Sequence, residues 1–336
     1  MNAHAQASAD APASYAGVRT LVLGASGFIG SWTVSALVRA GADVVAVARD
    51  APAVHLALAR RRTAAHVVAA DLTTRGAVTD VVARIRPTVV FNLCGYGVDH
   101  GERDAATMHT LNAQLVEELC VALAALPAGA WSGLRLIHAG SALEYGPIQG
   151  ALEEHATPQP TTDYGRTKLE GTTHVTRAAR QTGLRAITAR LFTVYGDGEH
   201  AGRLLPSLID AARNGTSLSL TAGTQPRDFT YVEDAVEGLL RLGAVATPAS
   251  GEVVNVATGR LTTVRAFTET AAAILGIPPS HLRFGAVAPA AGEMFHGEVS
   301  IARLRALLSW APSTEISDGI RRTLSSGQTE RSAHAT

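Results

Sequence analysis

Leu21-Val-Leu-Gly-Ala-Ser-Gly-Phe-Ile-Gly30 carries an apolar stretch straight into three glycines spaced Gly24-x-x-Gly27-x-x-Gly30, and a helical pattern follows. In a strand-turn-helix unit, that spacing cradles the pyrophosphate of a dinucleotide. Gly24 permits the tight turn, Gly27 lets the backbone approach the phosphates, and Gly30 lets helix and strand pack closely. The helix N-terminus adds amide donors and a favourable dipole. A glycine-rich turn taken alone is often only a turn, so the assignment needs the strand before it, the helix after it and matching chemistry downstream. The chain supplies all three.

Outward from this turn, apolar strands alternate with helical stretches: Thr20 to Leu23, Asp43 to Val47, His66 to Val68, Thr88 to Asn92, Leu134 to His138 and Arg185 to Arg190. Their near-continuous apolar character fits a parallel sheet covered by helices on both faces, and right-handed crossovers wind such a sheet into an α/β, doubly wound Rossmann fold. After Tyr195-Gly196 the segments become shorter and richer in Gly and Pro, which predicts a smaller substrate-binding lobe. A strand-like return at Glu252 to Val256 makes the boundary interleaved. The expected division is a disordered tail over 1–17, the dinucleotide domain over 18–196, mainly the second lobe over 197–325, and a tail over 326–336.

Lys plus Arg and Asp plus Glu both total 29, so no global field draws in nucleic acid or anionic lipid, and any anion site must be local. No apolar run reaches the roughly 18 residues of a membrane span. The first residues lack both a basic and an apolar region, against a signal peptide. Cys94 and Cys120 are the only cysteines, too few for a disulfide framework, and a reducing, cytoplasmic setting is expected. Twelve histidines are present, none at zinc-ligand spacing. His100, His109, His200 and His296 are expected at the surface or in loops, Trp32 and Trp131 in packing roles, and no metal is expected.

Tyr164-Gly-Arg-Thr-Lys168 lies in a predicted helix, which sets residues four apart side by side. A phenol titrates near 10, and bringing it to about 7 takes roughly 4 kcal/mol of differential stabilisation, which a neighbouring ammonium and a cationic nicotinamide ring could supply together. An isolated Tyr-x-x-x-Lys is usually a packed Tyr and a solvated Lys. Behind a dinucleotide turn it reads as an acid/base pair. Ile137-His-Ala-Gly-Ser-Ala-Leu-Glu-Tyr-Gly146 ends an apolar strand in a small-residue turn, where Ser141 either donates to a substrate oxygen or satisfies its own backbone.

Together these residues resemble the extended short-chain dehydrogenase/reductase family of nucleotide-sugar epimerases, dehydratases and ketoreductases, from about Val18 to Leu324. The resemblance extends to Asp71-Leu72, Phe91-Asn-Leu-Cys-Gly95, Asn112, Arg190-Leu-Phe-Thr-Val-Tyr-Gly196, Arg227-Asp-Phe-Thr-Tyr-Val-Glu-Asp234, Asn255 and Trp310-Ala-Pro312. It implies cofactor contacts from Gly24, Ser26, Gly27, Phe28, Ile29, Gly30, Asp71, Leu72, Leu93, Tyr164 and Lys168. It further implies that Tyr164 moves the proton of a substrate oxygen that Ser141 holds, while Lys168 also grips the nicotinamide ribose. Arg227 aligns with a residue that binds the nucleotide diphosphate, its structural alternative being a pair with Asp228 or Asp234, and Arg203 opens a loop over the nucleotide. A homodimer through a four-helix bundle containing the Tyr164 helix is implied as well.

Departures from the family pattern narrow the activity. Where NAD-users carry an acid at the end of the second strand, this chain has Ala48 followed by Arg49, which favours NADP through a pair with the 2′-phosphate. Asp50, one residue later, keeps NAD open. Arg60-Arg-Arg62 either adds local positive potential or forms a solvated face. Ser141 is followed by Ala142-Leu143 rather than the Asp-Glu of the 4,6-dehydratases, so the acids for water elimination are missing. Thr193 replaces a frequent Asn on the nucleotide phosphate. The expected activity is NADPH-dependent reduction of a nucleotide-activated 4-keto-6-deoxyhexose. The alternatives are an NAD-dependent nucleotide-sugar 4-epimerase, a reductase of a non-nucleotide ketone, and a catalytically silent dinucleotide sensor.

Overall fold

The computed structural model describes residues 15–99, 101–127, 129–148, 150–246, 251–288 and 297–334. The non-alternating apolar runs become strands β1 (Arg19–Leu23), β2 (Asp43–Ala48), β3 (His66–Ala69), β4 (Val89–Asn92) and β5 (Leu136–Ser141). After the short β6 (Ala151–Leu152) come β7 (Ala186–Leu191), β8 (Thr193–Tyr195), β9 (Leu218–Leu220), β10 (Pro226–Tyr231), β11 (Glu252–Val256), β12 (Leu261–Thr263), β13 (Leu282–Phe284) and β14 (Glu298–Val299). Between them run α1 (Phe28–Arg39), α2 (Ala51–Arg60), α3 (Ala77–Ile85), α4 (Ala105–His109), α5 (Leu115–Ala125) and α6 (Asp163–Thr182). Helices α7 (Leu204–Asn214), α8 (Val232–Gly243), α9 (Val264–Leu275), α10 (Ala302–Leu308) and α11 (Ile316–His334) complete the chain.

Seven strands form one parallel sheet in the order β11-β7-β5-β4-β1-β2-β3. The order reverses beside β1, the switch point at which open α/β sheets bind ligands. Alternate residues feed opposite layers: Leu21 and Leu23 join one buried cluster with Val45, Val47 and Leu119, whereas Val22 joins the other with Ala46, Leu37 and Leu239. Both faces being covered explains why the strands read as unbroken apolar runs. As expected, the segment at 252–256 returns to this sheet, pairing β11 with β7 so that Asn255 lies opposite Arg190.

The smaller lobe grows from the end of β7, where β8 pairs parallel with β10 and β10 antiparallel with β12. Its core is aromatic: Phe229 stacks on Phe267 at 4.1 Å, and Tyr195 meets Phe267 edge-on at 5.2 Å. Aromatic pairs of this geometry add about 0.5–1.5 kcal/mol beyond area burial.

Both spans expected as tails contain residues with defined structure. Tyr15 is fully buried, donates to the Leu240 carbonyl at 2.7 Å and packs on Trp131 at 5.3 Å, so the ordered chain begins before residue 17. At the other end α11 runs on to His334 through the segment expected as a tail. A helix already nucleated and anchored by buried Ile320 extends at little cost per residue. Trp131 packs as expected, and Trp32 also donates its indole N–H to the Asp197 carbonyl at 2.8 Å. No described helix is long and apolar enough to cross a membrane.

Candidate active site

Turns at the C-terminal ends of the strands bring the cofactor candidates together. Gly24 adopts φ +78°, and its amide and that of Ala25 both donate to the Val47 carbonyl at 3.1 Å. A Cβ on Gly24 would lie 2.8 Å from the Leu93 carbonyl oxygen, and one on Gly30 only 2.0 Å from the Gly24 oxygen. No side chain fits at either position. Gly27 caps α1 in extended conformation, and the first-turn amides of Phe28 and Ile29 have no partner among the described residues. With Ser26 exposed at the tip, the turn fits a pyrophosphate: a cradle without side chains, open donors and a helix N-terminus.

At the adenosine end, Arg49 is exposed just beyond β2. Asp71 accepts from Thr73 through its amide at 3.0 Å and its hydroxyl at 2.7 Å, and these bonds hold its carboxyl below the usual carboxylate value, with Arg49 contributing as well. Asp50 caps α2 by accepting from the Ala53 amide at 3.2 Å. Leu72 is 7% exposed and packs in the core. Of the Arg60-Arg-Arg62 run, Arg60 and Arg62 are exposed, and Arg61 alone departs from both readings. Arg61 turns inward with its side chain 8% exposed, bonds Ser31 Oγ at 3.2 Å and the Asp197 carbonyl at 3.1 Å, and stacks on Trp32.

The acid/base candidates meet where β5 ends against α6. Thr162 caps α6 by accepting from the Gly165 amide at 3.0 Å, and Gly165 lets the helix approach the Ser141 turn so closely that a Cβ would lie 2.4 Å from the Leu143 oxygen. Tyr164 stands in the first turn of α6, next to Gly165, and so faces the Ser141 turn. Burial pushes the Tyr164 phenol up to about 12; Glu144 and Glu102 act in the same direction, while Ser141 and Arg203 oppose. Lys168 is 3% exposed, and burial lowers its pKa against the stabilising charges of Glu144 and Cys94. The charges that act on the phenol include Glu144, Arg203 and Glu102.

Neighbouring groups fix the rest of the pocket. Asn112 is fully buried in a π-helical turn, accepting from the Tyr96 amide at 3.0 Å and donating to the Tyr96 carbonyl at 2.9 Å and to Thr167 Oγ1 at 3.0 Å. Such turns recur at functional sites. Burial and Lys168 keep His138 neutral, and its Nδ1 accepts from the Asn92 amide at 3.1 Å.

On the substrate side, Arg203 precedes α7 and sits close enough to influence Tyr164. Arg227 donates to the Pro226 carbonyl at 3.1 Å. Asp228 accepts from Thr258, Gly259 and Thr230, and Asp234 holds Ser313 and Thr314. His109 pairs with Glu170 at 3.2 Å and His200 lies 3.6 Å from Asp99 near the surface. His100 and His296 lie outside the described residues. Among the described residues no three His, Cys, Asp or Glu side chains cluster as metal ligands.

Sequence reasoning passed over Glu144. It completes a capping box, with Ser141 Oγ accepting from the Leu143 amide at 3.2 Å and Glu144 Oε1 accepting from the Ser141 amide at 2.7 Å. The Ser-x-x-Glu spacing was the available signal.

The sequence profile of the NAD dependent epimerase/dehydratase family matches residues 20–257. Over 315 residues the chain is 30% identical to dTDP-6-deoxy-L-talose 4-dehydrogenase (NAD(P)(+)) of Kitasatospora kifunensis, covering 90% of this chain and 93% of the relative. It is 26% identical to UDP-glucose 4-epimerase of Mycolicibacterium smegmatis, with 91% and 97% covered. The structure of MoeE5 in complex with UDP-glucuronic acid and NAD matches with a TM-score of 0.80 at 25% identity, covering 93% of this chain and 99% of that one.

Proposed function

Because the chain belongs to the NAD dependent epimerase/dehydratase family, we propose that it reduces the keto group of a nucleotide-activated 4-keto-6-deoxyhexose with NADPH, Tyr164 acting as general acid. The observation that carries this reading is the close approach of the Ser141 turn to the first turn of α6, where Gly165 lies against the Leu143 oxygen beside Tyr164, at the same strand ends as the Gly24 cradle. When bound, the nicotinamide supplies the hydride. Tyr164 then gives its proton to the substrate oxygen, and Ser141 Oγ holds that oxygen in place. A buried phenol raised to about 12 rests in the protonated form a reductive acid needs. Lys168, fixed by burial, holds the ribose. Arg203 and Arg227 would fork onto the diphosphate oxygens of the nucleotide sugar.

The preference for NADPH is supported at the end of β2. Asp50 is engaged in capping α2, which takes away its claim on the ribose hydroxyls, and Arg49 stands exposed beside Asp71 where a 2′-phosphate would lie. The Kitasatospora relative supports the substrate class, since a 4-dehydrogenase run in reverse is a 4-ketoreductase. A cytoplasmic homodimer packed through α5 and α6 belongs to the same reading, supported by Val121, which stands 68% exposed on α5.

A nucleotide-sugar 4-epimerase with tightly held NAD is the second reading, favoured by the likeness to UDP-glucose 4-epimerase over 91% of this chain. Mass spectrometry of the denatured protein, followed by titration of NADP(H) and NAD(H), separates the two. The reductase is expected to purify without nucleotide, to bind NADPH more tightly than NADH, and to oxidise it with a dTDP-4-keto-6-deoxyhexose. Retained NAD would overturn it in favour of the epimerase.

A further inference from the structure

Beneath the Ser141 turn lies a carboxylate that the reaction as written does not use. Glu144 is fully buried, and its oxygens are aimed at three donors from three elements. Oε1 accepts from the Ser141 amide at 2.7 Å, and Oε2 accepts from Arg190 Nε at 2.8 Å and Thr172 Oγ1 at 2.9 Å. Arg190 stands on β7, and Thr172 lies on α6 one turn beyond Lys168. One side chain therefore ties the strand end carrying Ser141 to the helix carrying Tyr164 and Lys168.

Further contacts brace the pair from behind. The Arg190 guanidinium lies 4.2 Å over the Tyr145 ring, and Tyr145 Oη donates to Asn255 Oδ1 at 2.8 Å. Asn255 in turn donates to the Leu152 and Ser300 carbonyls. Stability alone is a poor account of a buried ion pair, because well-packed apolar side chains of similar volume often serve as well or better. An acceptor is needed for a backbone amide, a guanidinium and a hydroxyl at once, and only a carboxylate presents acceptors on both oxygens.

We propose that Glu144 is a positioning residue of the reaction: it fixes the Ser141 turn against α6, the helix that carries Tyr164 and Lys168. Held there, its carboxylate favours the neutral phenol of Tyr164 and the charged ammonium of Lys168. The inference rests on the acid/base reading of Tyr164. The charged groups facing Tyr164 are Glu144, Glu102 and Arg203; Lys168 faces Glu144 and Cys94, with His138 beside it. Glu144 is the charge that acts on both Tyr164 and Lys168 and also holds the Ser141 backbone.

The test is a pH titration of phenolate absorbance in the full chain saturated with NADP+ or NAD+, whichever binds more tightly, with Tyr164→Phe in each background as blank. Glu144→Gln is expected to move the Tyr164 midpoint acidward by about one pH unit, so that at a given lower pH roughly tenfold more phenolate is present. Glu144→Asp keeps the charge and is expected to hold the midpoint near the wild-type value while slowing turnover, because the shorter side chain loses Ser141. Glu144→Gln leaves Arg190 buried without its partner and can fail to fold, so Glu144→Gln/Arg190→Met, which removes both charges, is measured beside it. An acidward midpoint in either variant supports the proposal. A midpoint unchanged in both, or changed equally by Glu144→Asp, overturns it. Full turnover in Tyr164→Phe would instead overturn the acid/base reading beneath it.

Discussion

The guanidinium of Arg61 lies 3.8 Å from the centre of the Trp32 ring and also bonds the carbonyl of Asp197, joining the glycine-turn helix to the loop that leads into the second lobe. The same Trp32 donates its indole N–H to that carbonyl. A brace of this kind combines a desolvated cation–π contact with a hydrogen bond from a charged donor. Arg61→Met is expected to lower stability by about 2 kcal/mol, read from urea denaturation. An unchanged midpoint would mean that the contact contributes nothing net.

Tyr164→Phe removes the proton while keeping the ring in its packing. Turnover is expected to fall roughly 10²–10⁴-fold, the range of a lost general acid, with the Kd for NADPH little altered. Steady-state kinetics and a fluorescence titration of NADPH check the two halves separately.

At the end of β2, two adjacent residues are expected to separate cofactor choice from helix stability. Arg49→Asp is expected to weaken NADPH at least about tenfold relative to NADH, through loss of a charge-assisted contact to the 2′-phosphate. Asp50→Ala removes the α2 cap and is expected to cost about 1 kcal/mol of stability while leaving the NADPH to NADH ratio unchanged. Calorimetric titration of both nucleotides into each variant decides it, and an equal loss of both nucleotides in Arg49→Asp would count against the assignment.

Glu199 makes stability depend on pH. Burial pushes its carboxyl up to about 7 from 4.5, against the pull of Arg203, and its Oε2 has no hydrogen-bond partner. A folded value above the unfolded one means that the native state binds the proton more tightly, so stability is lost as pH rises from about 4.5 through about 7, by at most about 3 kcal/mol. Glu199→Gln is expected to be the more stable form above about pH 7, the gap closing toward about pH 5. Denaturation midpoints of both proteins across that range check the sign, and parallel curves would refute it.

The chain itself determined what depends on local geometry. Unbroken apolar runs demanded a parallel sheet covered on both faces, and the glycine spacing announced the turn because a Cβ on Gly27 or Gly30 would meet the Gly24 carbonyl within the same turn, whereas the Leu93 backbone that excludes one on Gly24 comes from a distant strand end. The four-residue spacing of Tyr164 and Lys168 placed them on one helix face, and Ser141 followed from its place at a strand end. Tertiary structure alone decided which side chains lose water and to whom they turn. Glu144 reaches Thr172 across 28 residues and Arg190 across 46, Arg61 finds Asp197 across 136, and Tyr15 reaches Leu240 across 225. The Tyr164 phenol answers chiefly to burial, and beside it to Glu144, Arg203 and Glu102, none of which its own helix supplies. Desolvation and Coulomb energy depend on spatial neighbours, and a linear pattern specifies these only where the backbone brings them round within a turn or two.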